Sequence, residues 1–209
     1  MDRKDDGVFE HYFVDRPKSK AEFGLIQTYL RGKAFEFLTA SSVFSRRRID
    51  FGSRLLIEKM ILPDAGNVLD VGCGYGAVGI AAAALKPELY VVLTDVNQRA
   101  VNLAKQNAAR NNVTNVEVRY GSLYEPVKEL TFNCVLSNPP VSAGMKIVRS
   151  IITEAKEIMK NEAVFQMVVK SKIAGKRLTS IFTEVFGGFE VLGREKGYRV
   201  LLAKKQELS

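Results

Sequence analysis

The side chains best suited to chemistry lie in two short segments, and the first is a glycine-rich turn behind an aspartate. Within NVLDVGCGYGAVGIAAA (residues 67–83), Gly72, Gly74 and Gly76 follow Asp70 at spacings of two. Glycine lets the backbone pass close to a ligand, because a Cβ there would clash or forbid the required φ. The segment therefore predicts a ligand site, and a tight turn without a ligand is the plainer alternative.

The spacing of these glycines bears on which ligand they suit. A dinucleotide site has G-x-G-x-x-G, which aims a helix N-terminus at a pyrophosphate. Here the run is G-x-G-x-G, and Gly79 lies one turn into the Ala-rich helix that begins near Ala77. The carboxylate of Asp70 would repel a pyrophosphate and suit an ammonium group. Because an apolar strand (residues 67–71) precedes the turn, the unit indicates a nucleotide-binding α/β sheet.

The second segment is Asn138-Pro139-Pro140-Val141, which follows a strand predicted over Thr131–Ser137. Two successive prolines fix φ and remove two N–H donors, and the residue before them is pushed into an extended conformation. The side-chain oxygen of Asn138 and an adjacent carbonyl can then accept both hydrogens of a planar amino group. We therefore predict a clamp that orients an amine nitrogen, rather than a Pro-Pro turn without function.

A third candidate is Asp95, at the carboxyl end of a buried strand predicted over Glu88–Thr94. A carboxylate at this position can accept both hydroxyls of a ribose, as the acidic residue after the second strand does in dinucleotide folds. The alternative is that Asp95 only helps to cap the helix predicted over Gln98–Asn111, for which Asn97 is a good N-cap.

The loop after the next strand is a weaker candidate. The strand is predicted over Asn115–Tyr120, and Gly121-Ser122-Leu123 follows it. In nucleotide-binding α/β folds the loop after the third strand borders the adenine of the bound nucleotide. Ser122 can offer its backbone or its hydroxyl to that base. Gly-Ser is also an ordinary turn sequence, so both interpretations stay open.

The remaining elements complete the sheet and flank it. The alternating run from Leu25 to Leu38 predicts a β-hairpin with a glycine turn, which either caps the fold or forms a substrate platform. Further predicted elements are helices over Ser53–Met60, Lys146–Lys160 and Gly175–Val185, a strand over Ala163–Val169, and an antiparallel pair formed by Gly188–Gly193 and Tyr198–Ala203.

The charge of the chain favours a polyanionic partner. The 209 residues include 31 Lys and Arg against 23 Asp and Glu, a formal charge of +8. Nucleic acid is the simplest partner for such an excess, although a solvated basic surface gives the same count. Two basic clusters, either solvated or placed to contact phosphates, are Arg46–Arg48 and the group Lys170, Lys172, Lys176 and Arg177.

Several classes of protein are disfavoured by composition. No apolar run approaches the roughly 18 residues of a membrane helix, and the charged residues 1–7 do not form a signal peptide. Cys73 and Cys134 form no metal pattern and fit a reduced, cytoplasmic setting. His11 is the single histidine, which excludes a multi-histidine metal site. Residues 1–20 are charged and are expected to be loosely ordered.

Taken together, these segments resemble those of the class I S-adenosylmethionine-dependent methyltransferases. Within that class the chain resembles the "methyltransferase small" family of ribosomal-RNA small-subunit guanine-N2 methyltransferases, over roughly residues 9–204. The segments that carry the resemblance are HYF (11–13), VFSRRRIDFGSRLLIE (43–58), VLDVGCGYGAVGI (68–80), LTDVNQRAVNLAKQNAARN (93–111) and SNPPVSAGMK (137–146).

The resemblance implies a fold, a reaction and a site. The fold is a Rossmann-like, seven-stranded, mostly parallel sheet with an antiparallel last strand, in a core over residues 61–209 behind an N-terminal extension over residues 1–60. The reaction is methyl transfer from S-adenosylmethionine to an exocyclic amine of RNA, most specifically guanine N2 in small-subunit ribosomal RNA. The implied cofactor-binding residues are Asp70, Gly72, Gly74, Gly76, Asp95, Val96, Gly121, Ser122 and Leu123, and the implied catalytic residues are Asn138, Pro139, Pro140 and Val141.

Two departures from related enzymes narrow this expectation. Amino-adenine DNA methylases and release-factor glutamine methylases usually have an aromatic residue where this chain has Val141, and an aliphatic residue there resembles the guanine-N2 enzymes. The large two-domain relatives carry an extra substrate-recognition domain for which 209 residues leave no room. Alternative functions are N5-methylation of a protein glutamine, a nicotinamide-dependent oxidoreductase, and a non-catalytic RNA-binding or assembly protein.

Overall fold

The computed structural model of the protein describes residues 22–40, 43, 48–139, 144–172 and 176–206. The predicted loosely ordered segment over residues 1–20 lies outside these ranges. The strands are β1 (Phe23–Leu30), β2 (Lys33–Ala40), β3 (Gly66–Val71), β4 (Leu89–Asp95), β5 (Val116–Tyr120), β6 (Phe132–Ser137), β7 (Met159–Lys170), β8 (Glu190–Glu195) and β9 (Tyr198–Lys204). The helices are α1 (Phe51–Lys59), α2 (Ala77–Leu85), α3 (Gln98–Arg110), α4 (Gly144–Ile158) and α5 (Lys176–Phe186).

Seven strands form one sheet in the order β5-β4-β3-β6-β7-β9-β8. The first five in this order pair in parallel, and β9 pairs antiparallel with both β7 and β8. Continuous apolar runs such as that of β4 are buried on both faces, as parallel strands covered by helices require. The predicted seven-stranded, mostly parallel sheet with an antiparallel last strand is therefore confirmed.

The chain reverses its direction of travel across the sheet between β3 and β6. After β3 the chain moves outward to β4 and β5, and then returns to the other side of β3 with β6. Open α/β sheets bind ligands in the crevice at such a point, outside the carboxyl ends of the strands. Asp70 pairs with Leu136, so Gly72 and Asn138 each lie two residues beyond that pair. The topology therefore brings the two segments singled out in the sequence to one place.

The predicted hairpin is present as the separate two-stranded sheet of β1 and β2. Its outer edge is hydrogen-bonded by the side-chain amides of Asn107 in α3 and of Asn111, the residue that caps the C-terminal end of α3. Asn107 accepts from the Leu38 backbone at 2.7 Å and donates back to it at 2.9 Å, and Asn111 pairs with the Glu36 backbone in the same way. Phe37, fully buried, packs with the core around α2 and α3. The hairpin thus shares a hydrophobic core with α2 and α3.

Several element boundaries differ from the sequence prediction by a few residues, and the contacts explain two of them. Helix α1 begins at Phe51 rather than Ser53, because Asp50 caps it by accepting from the Ser53 backbone N–H. Strand β7 begins at Met159, where the sequence predicted the end of a helix, because Met159 pairs with Phe132 of β6. Among the helices of the described ranges, none has the length and apolar character needed to cross a bilayer.

Candidate active site

A pocket of about 220 Å³ opens at the carboxyl ends of β3, β4 and β5. Seven of the residues that line this pocket are candidate site residues from the sequence analysis: Gly72, Asp95, Val96, Gly121, Ser122, Leu123 and Pro139. Ile147 and Ile151 of α4 also line it, and the sequence indicated only that they share an apolar helix face. One pocket therefore brings together residues from four separate segments, each of which sequence analysis had assigned to the cofactor or to the amine clamp.

The surroundings of Gly72 and Gly76 give different reasons for a glycine at each position. Gly72 has φ +72°, and a Cβ added there would meet no atom within 4 Å, so the space beside it is open. Gly76 has φ +90°, and an added Cβ would lie 2.8 Å from Ile80 Cδ1 and 3.2 Å from Leu93 Cδ2. Packing and backbone conformation thus account for Gly76, whereas Gly72 leaves a cradle that a ligand can fill. A cofactor contact by Gly74 or Gly76 stays a prediction.

The carboxylate of Asp95 is buried at the inner end of the pocket and holds the glycine turn. Its Oδ2 accepts from the Gly74 N–H at 2.8 Å, and its Oδ1 accepts from the Asn97 N–H at 2.8 Å. Asn97 in turn caps α3 through Arg99 and Ala100, as predicted.

Asp70 lies beneath the turn, with its Oδ2 accepting from the Gly79 N–H at 2.8 Å. This bond satisfies a first-turn donor of α2, whose N-cap residue Gly76 has no side chain to do so. Burial raises the pKa of Asp70 to about 7, and the charge of nearby Asp95 adds to the rise against the opposing hydrogen bond. The aspartate therefore has a structural role that the sequence did not indicate.

The side-chain amide of Asn138 is held by α1. Its Nδ2 donates to Asp50 Oδ2 at 2.9 Å and to Ser53 Oγ at 2.8 Å. An ionised carboxylate only accepts hydrogen bonds, so the NH₂ end of the amide faces α1 and Oδ1 is left as an acceptor. Asn138 and Pro139 are half-buried, and Pro139 lines the pocket. The acceptor therefore lies at the pocket margin.

Several predicted residues lie outside the described ranges, and others were missed. Pro140, Val141, Arg46 and Arg47 fall in the first group. Asp50 and Ser53 fall in the second as partners of Asn138. The run IDFGS (residues 49–53) is unusual for a plain linker, and the sequence indicated only that it could line the mouth of the cofactor site. The described residues contain no group of three or more His, Cys, Asp or Glu side chains placed to hold a metal ion.

The strand order, the open cradle at Gly72 and the Asn-Pro corner beside it define a Rossmann-like methyltransferase that uses S-adenosylmethionine. The pocket fits such a cofactor, because it combines a glycine whose Cβ would meet nothing with a buried carboxylate at a strand end. The chain belongs to the methyltransferase small domain family, whose model matches residues 34–202.

Curated relatives cover most of this chain. It is 37% identical over 198 residues to the uncharacterized protein YbxB of Bacillus subtilis strain 168, which spans 94% of this chain and 98% of that protein. It is 31% identical over 174 residues to ribosomal RNA small subunit methyltransferase C of Escherichia coli O7:K1, covering 80% of this chain and 49% of that protein. The chain thus spans about half the length of the relatives that carry this name.

Solved structures share the fold. The Thermus thermophilus 16S rRNA N2 G1207 methyltransferase (RsmC), in complex with AdoMet and guanosine, superposes with a TM-score of 0.79 at 23% identity, over 91% of this chain and 52% of that one. The ribosomal protein L11 methylase of Lactobacillus delbrueckii subsp. bulgaricus superposes with a TM-score of 0.63 at 20% identity, over 75% and 77% of the two chains. The second neighbour is named for a protein substrate, so the shared fold does not by itself identify the substrate.

Proposed function

We propose that this protein transfers a methyl group from S-adenosylmethionine to an exocyclic amine of RNA, with guanine N2 of small-subunit ribosomal RNA as the target. The observation that carries the proposal is the fixed amide of Asn138 at the margin of the cofactor pocket. An amide whose NH₂ end is occupied presents only its carbonyl oxygen, which suits an amine with two hydrogens to donate.

The names of the relatives support the choice of substrate. Relatives that are 30–31% identical to this chain are called ribosomal RNA small subunit methyltransferase C. The structural neighbour with the TM-score of 0.79 is a 16S rRNA N2 G1207 methyltransferase in complex with AdoMet and guanosine. The formal charge of +8 agrees with an RNA partner.

The pocket residues divide between the parts of the cofactor. We assign the ribose hydroxyls to the carboxylate of Asp95 and the adenine to four neighbouring residues, Val96, Gly121, Ser122 and Leu123. The backbone at Gly72, Gly74 and Gly76 borders the ribose and methionine portion, and Asp70 lies near its amino group, directly or through water. When bound, S-adenosylmethionine supplies an electrophilic methyl group on its sulfonium.

The catalytic contribution of the chain is orientation and charge stabilisation. The Oδ1 of Asn138 and the backbone carbonyl at the Asn-Pro corner accept the two N–H groups of the target amine, which directs the nitrogen lone pair at the methyl group. Positive charge would develop on that nitrogen as it gains the methyl group, and fixed acceptors would stabilise this charge without reorganisation. The sulfur–methyl bond would break with S-adenosylhomocysteine as the leaving group, and the nitrogen would release its surplus proton to solvent. Orientation of the two reactants supplies much of the remaining rate. No covalent intermediate on the enzyme is required, and Pro140 and Val141 are assigned to the wall of the amine site.

A labelled-methyl assay tests this proposal. The protein is incubated with S-adenosylmethionine and either unmodified small-subunit ribosomal RNA or small-subunit particles, and the RNA is digested to nucleosides. We expect 2-methylguanosine as the product. Label that enters a protein glutamine and not RNA would overturn the RNA assignment, and an absence of transfer to either with intact cofactor binding would overturn the reaction.

A further inference from the structure

A second and larger cavity, a groove of about 880 Å³, is lined by Asp50, the residue that holds the amide of Asn138. Its walls are the hairpin strand β1, the N-terminal end of α1 and the turn between β8 and β9. The lining residues that matter below are Arg48, Asp50, Phe51, Arg54, Lys196 and Tyr198. We call this cavity the hairpin groove. Nothing in the proposed assignment of the cofactor and the amine clamp uses it.

The hairpin groove is contiguous with the predicted amine acceptor. A Cβ added to Gly52 would lie 3.2 Å from Tyr198 Cε1 and 3.3 Å from Asn138 Oδ1. The tyrosine ring edge and the acceptor oxygen therefore both border the position that a side chain at Gly52 would occupy. A group bound at Asn138 would lie beside the ring of Tyr198.

Tyr198 belongs to an aromatic pair on the groove wall. Its ring centroid is 5.6 Å from that of Phe51, with the rings tilted by 47°, and both side chains are half-buried. Lys196 Nζ lies 5.0 Å from the Phe51 centroid, and Lys170 Nζ lies 5.7 Å from the Tyr198 centroid. Partly exposed rings flanked by cations are how proteins bind unpaired bases, since every base has a π-face that can stack.

The charges of the hairpin groove also favour a nucleic acid. Arg48, Arg54 and Lys196 contribute three cations, whereas Asp50, the one carboxylate among the described lining residues, already accepts hydrogen bonds from Ser53 and Asn138. The guanidinium of Arg54 is fixed by the Tyr29 carbonyl and the Thr28 hydroxyl, which holds a positive charge at a defined position. Phosphates of a nucleic-acid backbone complement such a wall.

We propose that the hairpin groove binds a single-stranded segment of RNA that contains the target nucleotide, with the target base against Tyr198 and Phe51 and the flanking phosphates at the cationic wall. The assignment rests on the proposed function for the identity of the target base. It also supplies the aromatic contact that the motif lacks at Val141. A base in a duplex must leave the stack to reach this position, so unpaired RNA is the preferred ligand.

Equilibrium binding of a fluorescently labelled RNA oligonucleotide, without S-adenosylmethionine, tests the groove separately from the reaction. We expect Tyr198→Leu, which keeps an apolar side chain but removes the ring, to weaken binding of the single strand roughly 5- to 100-fold. The matched control is Tyr90→Leu on β4, a half-exposed tyrosine that does not line the groove, and we expect it to bind as the parent does. Thermal unfolding checks that both variants fold.

A second variant keeps the test decisive if Tyr198→Leu does not fold. Lys196→Gln changes an exposed residue in the β8–β9 turn, and Lys105→Gln on the exposed face of α3 makes the same charge change away from the groove. We expect Lys196→Gln to reduce the slope of log K against log salt by about one and Lys105→Gln to leave it unchanged.

The outcomes separate this inference from the proposed reaction. Equal loss in the groove and control variants, or tighter binding of duplex than of single strand, would overturn the groove assignment even if the parent makes 2-methylguanosine. Weaker single-strand binding that is confined to the groove variants would support it even if no methyl transfer is found.

Discussion

The Nδ2 of Asn138 donates a hydrogen bond to Asp50 Oδ2 across 2.9 Å, and the same oxygen caps α1 by accepting from the Ser53 N–H at 3.0 Å. One carboxylate oxygen therefore fixes both the start of a helix and the orientation of the predicted acceptor amide. The two residues are 88 positions apart in the chain. Asp50, in the predicted N-terminal extension, thus contacts the candidate site through Asn138.

Replacement of Asp50 by Asn should reduce turnover while preserving the fold. Asn caps a helix as well as Asp does, so α1 should persist, but an Asn side chain can face Asn138 with either its donor or its acceptor. The amide of Asn138 then loses its unique orientation. We expect kcat to fall about tenfold, equivalent to roughly 1.4 kcal/mol of transition-state stabilisation, with the KM for RNA nearly unchanged.

Asp64→Asn provides a control with the same charge change, since Asp64 pairs only with Lys86 at an exposed position. Steady-state kinetics should show a lowered kcat for Asp50→Asn and a parental kcat for Asp64→Asn. An Asp50→Asn enzyme with parental kcat would show that Asn138 does not need this partner.

A methyl group at Gly72 should weaken cofactor binding more than it weakens the fold. The left-handed backbone makes Gly72→Ala cost about 1–2 kcal/mol of stability, and the added carbon would occupy open space at the pocket. Gly32→Ala in the hairpin turn is the control, because its φ of +79° gives the same strain and its surroundings are also open. Calorimetric titration with S-adenosylmethionine should show a loss of affinity for Gly72→Ala alone. Equal affinities in the two variants would remove Gly72 from the site.

A methyl group at Gly79 should instead act through packing. Its Cβ would lie 2.7 Å from Leu93 Cδ1 and 3.1 Å from Asp70 Cβ. Overpacking costs about 1–3 kcal/mol and the gain in helix propensity is about 1 kcal/mol, so we expect a net loss in the free energy of unfolding. Gly188→Ala, where an added Cβ meets nothing, should change stability by less than about 0.5 kcal/mol. Urea unfolding of both variants makes the comparison, and an unchanged or raised stability for Gly79→Ala would contradict it.

The buried carboxyl of Asp70 should make stability depend on pH between its two pKa values. Burial raises its pKa from 3.8 to about 7 in the folded chain, so the folded state keeps a proton that the unfolded state has released. Stability is therefore favoured at low pH, declines as the pH rises from about 4 to about 7, and levels off above the folded pKa. Asp70→Asn, which retains an acceptor for Gly79, should flatten the urea-unfolding profile between about pH 4 and pH 7 by up to 1.36 kcal/mol per pH unit. Identical profiles for parent and variant would contradict the raised pKa.

Local sequence pattern predicted most of the fold. The apolar run of β4, the Asn97 cap of α3 and the glycine turn between β3 and α2 each depend on neighbouring residues, and all three are found. The strand edge of β2 could not be predicted to pair with Asn107 and Asn111, because amide pairing with a strand leaves no periodic pattern in the sequence.

The unpredicted parts of the site are contacts between distant segments. Tyr198 lies 60 residues beyond Asn138 and reaches the site only because β9 inserts between β7 and β8. Its ring can lie near the Oδ1 of Asn138 because Gly52 has no side chain to fill the space that both atoms border. Such relationships follow from strand order, which the spacing of residues within a segment does not specify.

The central claim is that Asn138 is the acceptor for the target amine, and Asn138→Ala tests it most directly. Methyl transfer to small-subunit ribosomal RNA and the affinity for S-adenosylmethionine are measured on the same preparations of parent and variant, with 2-methylguanosine quantified after digestion. We predict that transfer falls by about 100-fold or more while cofactor affinity stays within about twofold of the parent. A variant that retains parental transfer, or that loses cofactor affinity in parallel with transfer, would contradict the assigned role.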